Sequence, residues 1–463
     1  MQLFTVFILS LFLTIALVPL FKRLAFRMHV VDEPNERKVH VVDMPRSGGI
    51  SMAVGMFVPI MLWVARDDFV SAVLVGAFII VVFGVVDDIR PMKAWQKLLP
   101  QIAATLIVIF FGGVNISCLG ELLPQLCPLP VYLALPLTLL AILGVINAIN
   151  LSDGLDGLAG GISMLSFMLI GVLAYNSGNM IVAVMCAAVI GGIAGFLRYN
   201  SYPAMLFMGD AGSQLLGFFL GVFAIAVTQA DAPYSRVLAL PIIGFPILDT
   251  LTVMVVRIKN RRSPFSPDKN HFHHRMLKLG FFHTEAVLSI YLIQSCFVVF
   301  ALVTRFYSGW VHLLGFLGFS AVILAGFFAA RKTGWNVRRD GPFDRLVKQR
   351  LKILKEKLVF IRVFFGGLRY GFPLVLACQV IIPRQIPMYF SLAALVLLLL
   401  VGAGHFFDKV RFKEGLLRFS VYMIVPLLVF AAETDPAAWM AFPWVEINHL
   451  GYIALVFFVI MTM

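Results

Sequence analysis

Six aspartates stand at the ends of long apolar runs, or inside them, in this 463-residue chain. An ionised side chain is costly there unless it faces a polar cleft, so each marks a candidate site. Asp87 and Asp88 close one run, and because neighbours on a helix diverge by about 100°, the pair is expected to serve two roles rather than to chelate together. Asp153 and Asp156 are three apart, hence on one face if helical, and the glycines at 154, 157, 160 and 161 let backbone or ligand come close. Asp210 lies in MGDAGS, ahead of Ser213 and an apolar run, which puts its carboxylate near a helix N-terminus. Asp249 follows Pro246 inside a run and suits a site contact and a structural hydrogen bond equally. The other five carboxylates, sharing one cleft, point to a hard cation with oxygen ligands: Mg²⁺ carrying phosphates, with Mn²⁺ as its substitute.

The positive residues fit the same chemistry. His271, His273 and His274 form a cluster that could hold zinc, but no cysteine accompanies them, and Arg257, Lys259, Arg261, Arg262, Lys269 and Arg275 surround them. Donors and positive charge together are what a pyrophosphate needs, so phosphate binding is the better reading. Lys97 follows the aspartate pair by nine or ten residues and is placed to neutralise a phosphate beside it. Arg37, Lys38, His40 and Arg46 crowd a loop ending in Gly48-Gly49, which suits phosphate contacts and the general excess of Lys and Arg in cytoplasmic loops equally.

The elements that position these residues are apolar. The chain is 60% hydrophobic and 13% charged, against roughly 45–50% and about 25% in soluble domains, which excludes a soluble globular protein. Runs near 2–21, 48–65, 69–86, 99–115, 131–149, 160–176, 180–197, 212–230, 237–256, 285–303, 309–330, 370–383, 387–404, 416–432 and 449–463 predict an all-α, polytopic membrane bundle of about fifteen spans. The first run is long for a signal-peptide core and has no basic stretch before it, so it reads as a retained helix. Of the 37 Lys and Arg residues, 33 fall in one alternate set of connections and only Arg66, Arg236, Arg305 and Arg384 in the other. That asymmetry predicts the N-terminus outside, and every polar motif at a cytoplasmic helix end. The net charge of +13 is then an orientation signal and implies no nucleic-acid partner. Residues 1–330 read as a core of about eleven helices, 331–369 as a basic cytoplasmic linker whose stretch from Val347 to Phe364 suits an amphipathic helix and an ordinary positive loop equally, and 370–463 as further helices without an assigned role. Cys118 and Cys127 share one loop on the outer side, where pairing is left open.

Five motifs, DEPNERKVH…PRSGG, DD followed by QKLLPQ, NLSDGLDGLAGG, NSYPAMLFMGDAGS and PFSPDKNHFHHRML, occur in an order that resembles the polyprenyl-phosphate N-acetylhexosamine-1-phosphate transferase family over about residues 1–330. PRSGG and HFHHR look like the branch using UDP-N-acetylglucosamine or a related UDP-N-acetylhexosamine, rather than the UDP-muramoyl-pentapeptide branch of peptidoglycan synthesis. The resemblance implies transfer of a sugar phosphate to undecaprenyl or another polyprenyl phosphate with release of UMP, in a bacterial cytoplasmic membrane. It implies that Asp210 is the principal magnesium ligand, with Asp153, Asp156, Asn200 and Phe207 lining the metal and nucleotide pocket. It places Asp87 and Asp88 near the lipid phosphate and His271, His273 and His274 near the diphosphate. Arg275 is expected in the same pocket, and Lys97, Arg37, Lys38 and Arg46 against phosphates. Membrane lipids are expected partners, and a homodimer is left open. Two rivals are weaker: an intramembrane isoprenoid transferase would not need the HFHHR loop, and a transporter would carry its charges at mid-membrane in two matching halves.

Overall fold

Apolar segments in a bilayer must satisfy their backbone N–H and C=O groups internally, and this chain does so almost wholly as α-helix. The computed structural model describes residues 2–32, 43–229, 232–261, 263, 271–337, 382, 388–405 and 420. Among them are α1 (Gln2–Arg27), α2 (Gly48–Trp63), α3 (Asp68–Ile89), α4 (Ala94–Phe110), α5 (Val131–Ser152), α6 (Leu158–Asn176), α7 (Met180–Asn200), α8 (Gly209–Gln229), α9 (Ala239–Ile242), α10 (Gly244–Lys259), α11 (Phe272–Lys278), α12 (His283–Thr304), α13 (Gly309–Lys332) and α14 (Met388–His405). The sole described sheet pairs Val31–Asp32 with Met44–Pro45, antiparallel.

Eight of the described helices are long and apolar enough to cross a membrane, and α2 and α4 are shorter apolar helices. Among the described residues the expected count of about fifteen spans is therefore not confirmed. Apart from residues 382 and 420, the expected runs at 370–383, 416–432 and 449–463 lie outside the described residues, as does most of the linker 331–369. The run at 237–256 is a correction, since it breaks at Ile243 into α9 and α10. Pro246 causes the break, having no N–H for the carbonyl of Ile242 and a ring that clashes with it. That carbonyl accepts instead from Gln294 Nε2 and Ser166 Oγ, both at 2.8 Å, while Gln294 Oε1 takes the free N–H of Phe245 at 3.0 Å. Helix α4 begins earlier than its apolar run because Gln96 caps it, accepting from the N–H of Lys93 at 2.8 Å. Lys97 thus belongs to its first turn.

Helix α8 is the axis of the bundle, packed on α2, α3, α5 and α6, and from Ala211 to Val227 nearly every side chain is buried. Its aromatic rings interlock, with Phe219 stacked on Phe223 at 5.3 Å between centroids and Phe167 edge-on to Phe223 at 6.2 Å. Helix α13, by contrast, exposes most of its apolar surface, as a lipid-facing helix does. Close approach at the start of α8 depends on glycine: a Cβ on Gly84 would overlap the backbone of Ala211, and one on Gly49 would overlap Gly212.

The far end of α8 is built differently. Gln229 lies nineteen residues beyond Asp210, about 28 Å along the axis, close to the thickness of a bilayer core. Its Oε1 accepts from the N–H groups of Ser117 and Cys118, each at 3.2 Å. A disulfide joins Cys118 to Cys127, with Cα atoms 4.9 Å apart. In a variant lacking Cys186, Cys296 and Cys378, a thiol-reactive label is expected to attach only after reduction; equal labelling before and after reduction would refute the pairing.

Candidate active site

Four helix ends converge on the carboxylates: the last turns of α3 and α5 and the first turns of α4 and α8. Lys97 pairs with Asp87, and its Nζ lies 3.1 Å from Asp210 Oδ2, so one ammonium bridges α3 and α8. Asn150, in the last turn of α5, donates through Nδ2 to Asp210 Oδ1 and, at 2.9 Å, to Ser213 Oγ. Asp87 also accepts from the N–H of Met92 at 2.6 Å, which fixes its rotamer just past the helix end.

Asp88 turns to different partners. Its two oxygens accept from the backbone N–H groups of Asp210 and Ala211 at 2.9 and 3.2 Å. The first N–H groups of any helix lack an intrahelical acceptor, and the usual remedy is a local capping side chain. Here the cap for α8 comes from α3. The position before Asp210 has to be glycine for two reasons: Gly209 has φ +73°, and a Cβ there would run into the Asp88 carboxylate.

One turn deeper lies an uncharged copy of this arrangement. Gln101 donates to Gln214 at 2.9 Å, and Asn147 donates to Gln101 at 3.2 Å. Gln101 follows Lys97 by a turn, Gln214 follows Asp210 by a turn, and Asn147 precedes Asn150 by nearly one.

Two loops wall the carboxylates. Asp156 accepts from the N–H of Ala204 at 3.0 Å, while Asn200 accepts from Gly157 N–H at 2.8 Å and donates to Leu206 O at 3.0 Å. These bonds tie the 153–157 turn to the 201–208 segment. Phe207 ties that segment onward, its N–H donating to Pro45 O at 2.9 Å and its carbonyl accepting from Gly48 N–H at 3.0 Å. Arg46, at the base of the small sheet, pairs with Asp32 and lies near enough to Asp88, Asp153 and Asp210 for its charge to act on each. Arg37 and Lys38 lie outside the described residues.

The histidines form the third wall. Asp249 is a structural partner: Oδ2 meets His271 Nδ1 and Oδ1 accepts from Phe272 N–H, each at 2.9 Å. With Nδ1 so engaged, Nε2 is the nitrogen of His271 left to meet a ligand. The rings of His271 and His273 are 5.8 Å apart and those of His273 and His274 4.2 Å. His273 covers Gly154, where a Cβ would strike its ring. Burial, then the charge of His274, pulls the His273 pKa down to about 3, so this imidazole is neutral. Arg275 is turned over the Phe272 ring, 5.5 Å from its centroid.

Burial, then repulsion from Asp210 and Asp156, pushes the Asp153 carboxyl up to about 7. A cation held between Asp153 and Asp210 would relieve that repulsion. No three His, Cys, Asp or Glu side chains converge as metal ligands among the described residues. That donor set fits Mg²⁺, which takes one or two carboxylates and completes its shell with phosphate oxygens and water.

Reading the sequence did not anticipate Asn150 as a partner of Asp210, or the capping by Asp88. For Asn150 a signal existed, since Asn147 and Asn150 are two amides three apart in an otherwise apolar helix. For Asp88 there was none, because its partners lie more than a hundred residues away.

A family model described as glycosyl transferase family 4 matches residues 70–228, which hold Asp87 through Asp210. The probable undecaprenyl-phosphate N-acetylglucosaminyl 1-phosphate transferase of Bacillus subtilis (strain 168) is 34% identical over 348 residues, covering 75% of this chain and 96% of that protein. The undecaprenyl-phosphate alpha-N-acetylglucosaminyl 1-phosphate transferase of Escherichia coli (strain K12) is 34% identical over 358 residues, covering 74% and 95%. That of Yersinia pestis is 31% identical over 339 residues, covering 72% and 91%. With likeness of this extent spanning nearly the whole of each relative, the chain belongs to glycosyl transferase family 4, on the branch of the undecaprenyl-phosphate N-acetylglucosaminyl 1-phosphate transferases.

Proposed function

We propose that this chain transfers N-acetylglucosamine 1-phosphate from UDP-N-acetylglucosamine to undecaprenyl phosphate and releases UMP. The observation that carries the reading is the bridge from Lys97 to Asp87 and Asp210, which gathers one cation and two carboxylates at the ends of apolar helices. An oxygen of the lipid phosphate forms a bond to the β-phosphorus. The bond from that phosphorus to the bridging oxygen breaks, its electron pair leaves with UMP, and the sugar stays on the new lipid diphosphate.

Each residue has a part. Lys97 can pass its hydrogen bonds from the carboxylates to an arriving phosphate, and Arg46 and the His271 imidazole add donors on the other walls. Asp87, held by Met92 and Lys97, orients the acceptor. A phosphate monoester is already largely a dianion at neutral pH, its second pKa being near 6, so little proton removal is asked of it. Asp88 acts through the backbone of Asp210. A Mg²⁺ ion on Asp210 and Asp153 would neutralise charge on the diphosphate and the departing UMP.

The carboxylate end faces the cytoplasm in this reading. The segregation of 33 of 37 Lys and Arg residues supports it, and the Cys118–Cys127 disulfide at the opposite end suits an oxidising compartment.

Two experiments test these assignments. Purified protein with UDP-N-acetylglucosamine and undecaprenyl phosphate is expected to release UMP. Chelation should stop the release and added Mg²⁺ restore it, while Asp210→Ala abolishes exchange of labelled UMP; near-normal exchange in that variant would remove Asp210 from the metal site. Asp87→Asn should lower exchange steeply with little change in thermal midpoint. Asp88→Ala should lower both together, the lost cap costing about 1–2 kcal/mol, and Asp88→Asn should recover part of each because its amide oxygen still accepts one N–H. Loss in Asp88→Ala without any thermal effect would place Asp88 on the substrate instead.

A further inference from the structure

His283, the first residue of α12, has both ring nitrogens shielded from water and without a hydrogen-bond partner. Buried polar atoms of this kind are uncommon, and leaving them unpaired costs stability, so each calls for a reason. Its ring stacks on Tyr202, with centroids 4.5 Å apart and planes at 29°. Tyr202 itself is 53% exposed, a cover at the surface rather than part of the core.

The surroundings place this pair in the site wall. Tyr202 belongs to the segment that Asp156 and Asn200 fasten to the 153–157 turn. Helix α12 is fastened to the same turn, because Tyr291 donates through its hydroxyl to Gly157 O at 2.6 Å. His283 is close enough to His273 for the two rings to interact electrostatically, and His273 covers Gly154, next to Asp153. A strip of groups therefore runs from Asp210 through Asp153 and His273 to His283.

The chemistry at the end of that strip differs from that at its start. A neutral imidazole offers one donor and one acceptor. A phosphate oxygen, only an acceptor, would satisfy one nitrogen and leave the other unpaired. Hydroxyl groups both donate and accept, and a sugar ring presents several side by side, so it can satisfy both nitrogens. We propose that His283 is a substrate-contacting residue that hydrogen-bonds a hydroxyl-bearing ring of the nucleotide-sugar donor when the Tyr202 ring slides off it. The inference rests on the reaction proposed above. The ring is either the hexosamine or the ribose, and the experiment separates them.

The test uses the full-length protein in vesicles containing undecaprenyl phosphate. His283→Phe keeps a flat ring for Tyr202 and removes both nitrogens; His283→Gln returns a donor and an acceptor. One or two lost neutral hydrogen bonds should raise KM for UDP-N-acetylglucosamine about three- to thirtyfold in His283→Phe, with kcat near that of the wild type, and His283→Gln should recover part of the loss. UMP inhibition identifies the ring: an inhibition constant that rises in parallel assigns the ribose, and one left unchanged assigns the hexosamine. An unchanged KM in His283→Phe, or a Gln variant no better than Phe, overturns the contact. A wild-type protein that releases no UMP overturns the proposed reaction, and this inference with it, before any variant is compared.

Discussion

The site depends on one carboxylate that reaches across the bundle to the start of another helix. Asp88 closes the N-terminus of α8 from α3, and by binding the N–H of Asp210 it sets the backbone from which the Asp210 side chain departs. The positive end of a helix dipole welcomes a negative group, and in an apolar surrounding an unpaired N–H has no alternative acceptor. Much else follows from this contact. Gly209 must be glycine to admit it, and Gly84 must lack a side chain so that α3 can lie against Ala211. Lys97 can then bridge Asp87 and Asp210, because the ends of α3 and α8 are held together.

Around this junction, segments distant in sequence are joined through backbone groups. The small sheet, the 153–157 turn and the 201–208 segment share hydrogen bonds through Pro45, Phe207, Asn200 and Asp156. Polar side chains that look like ligands in the sequence are thus partly engaged in holding loops. Asp249 is the clearest instance, since both its oxygens serve the start of α11 and the tautomer of His271. Such outer partners orient the groups that meet a substrate.

Much of this was legible in the sequence, for physical reasons. Helix positions through residue 330 follow from apolar runs of bilayer length, and the adjacency of Asp87 and Asp88 on a helix already required that they point apart. The break at Ile243 was missed because hydropathy does not register the N–H that Pro246 lacks. Lys97 was legible as the beginning of the next helix, whereas the start of α4 at Ala94, ahead of its apolar run, rests on the capping bond from Lys93 to Gln96, which hydropathy does not register. Pairings such as Asn150 with Asp210 are set by which helices become neighbours, and one chain's hydropathy does not encode that.

The amide layer of Gln101, Asn147 and Gln214 has an electrical consequence. It closes the floor of the cleft with neutral groups bonded to one another, so ions and water find no charge to follow toward the hydrocarbon. A transmembrane voltage falls mainly across the low-dielectric slab below such a floor, and its effect on a reaction scales with the charge moved through that slab. In the reaction proposed above, phosphates exchanged above the floor would carry almost no charge through that slab, and a membrane potential would have little purchase on the transfer.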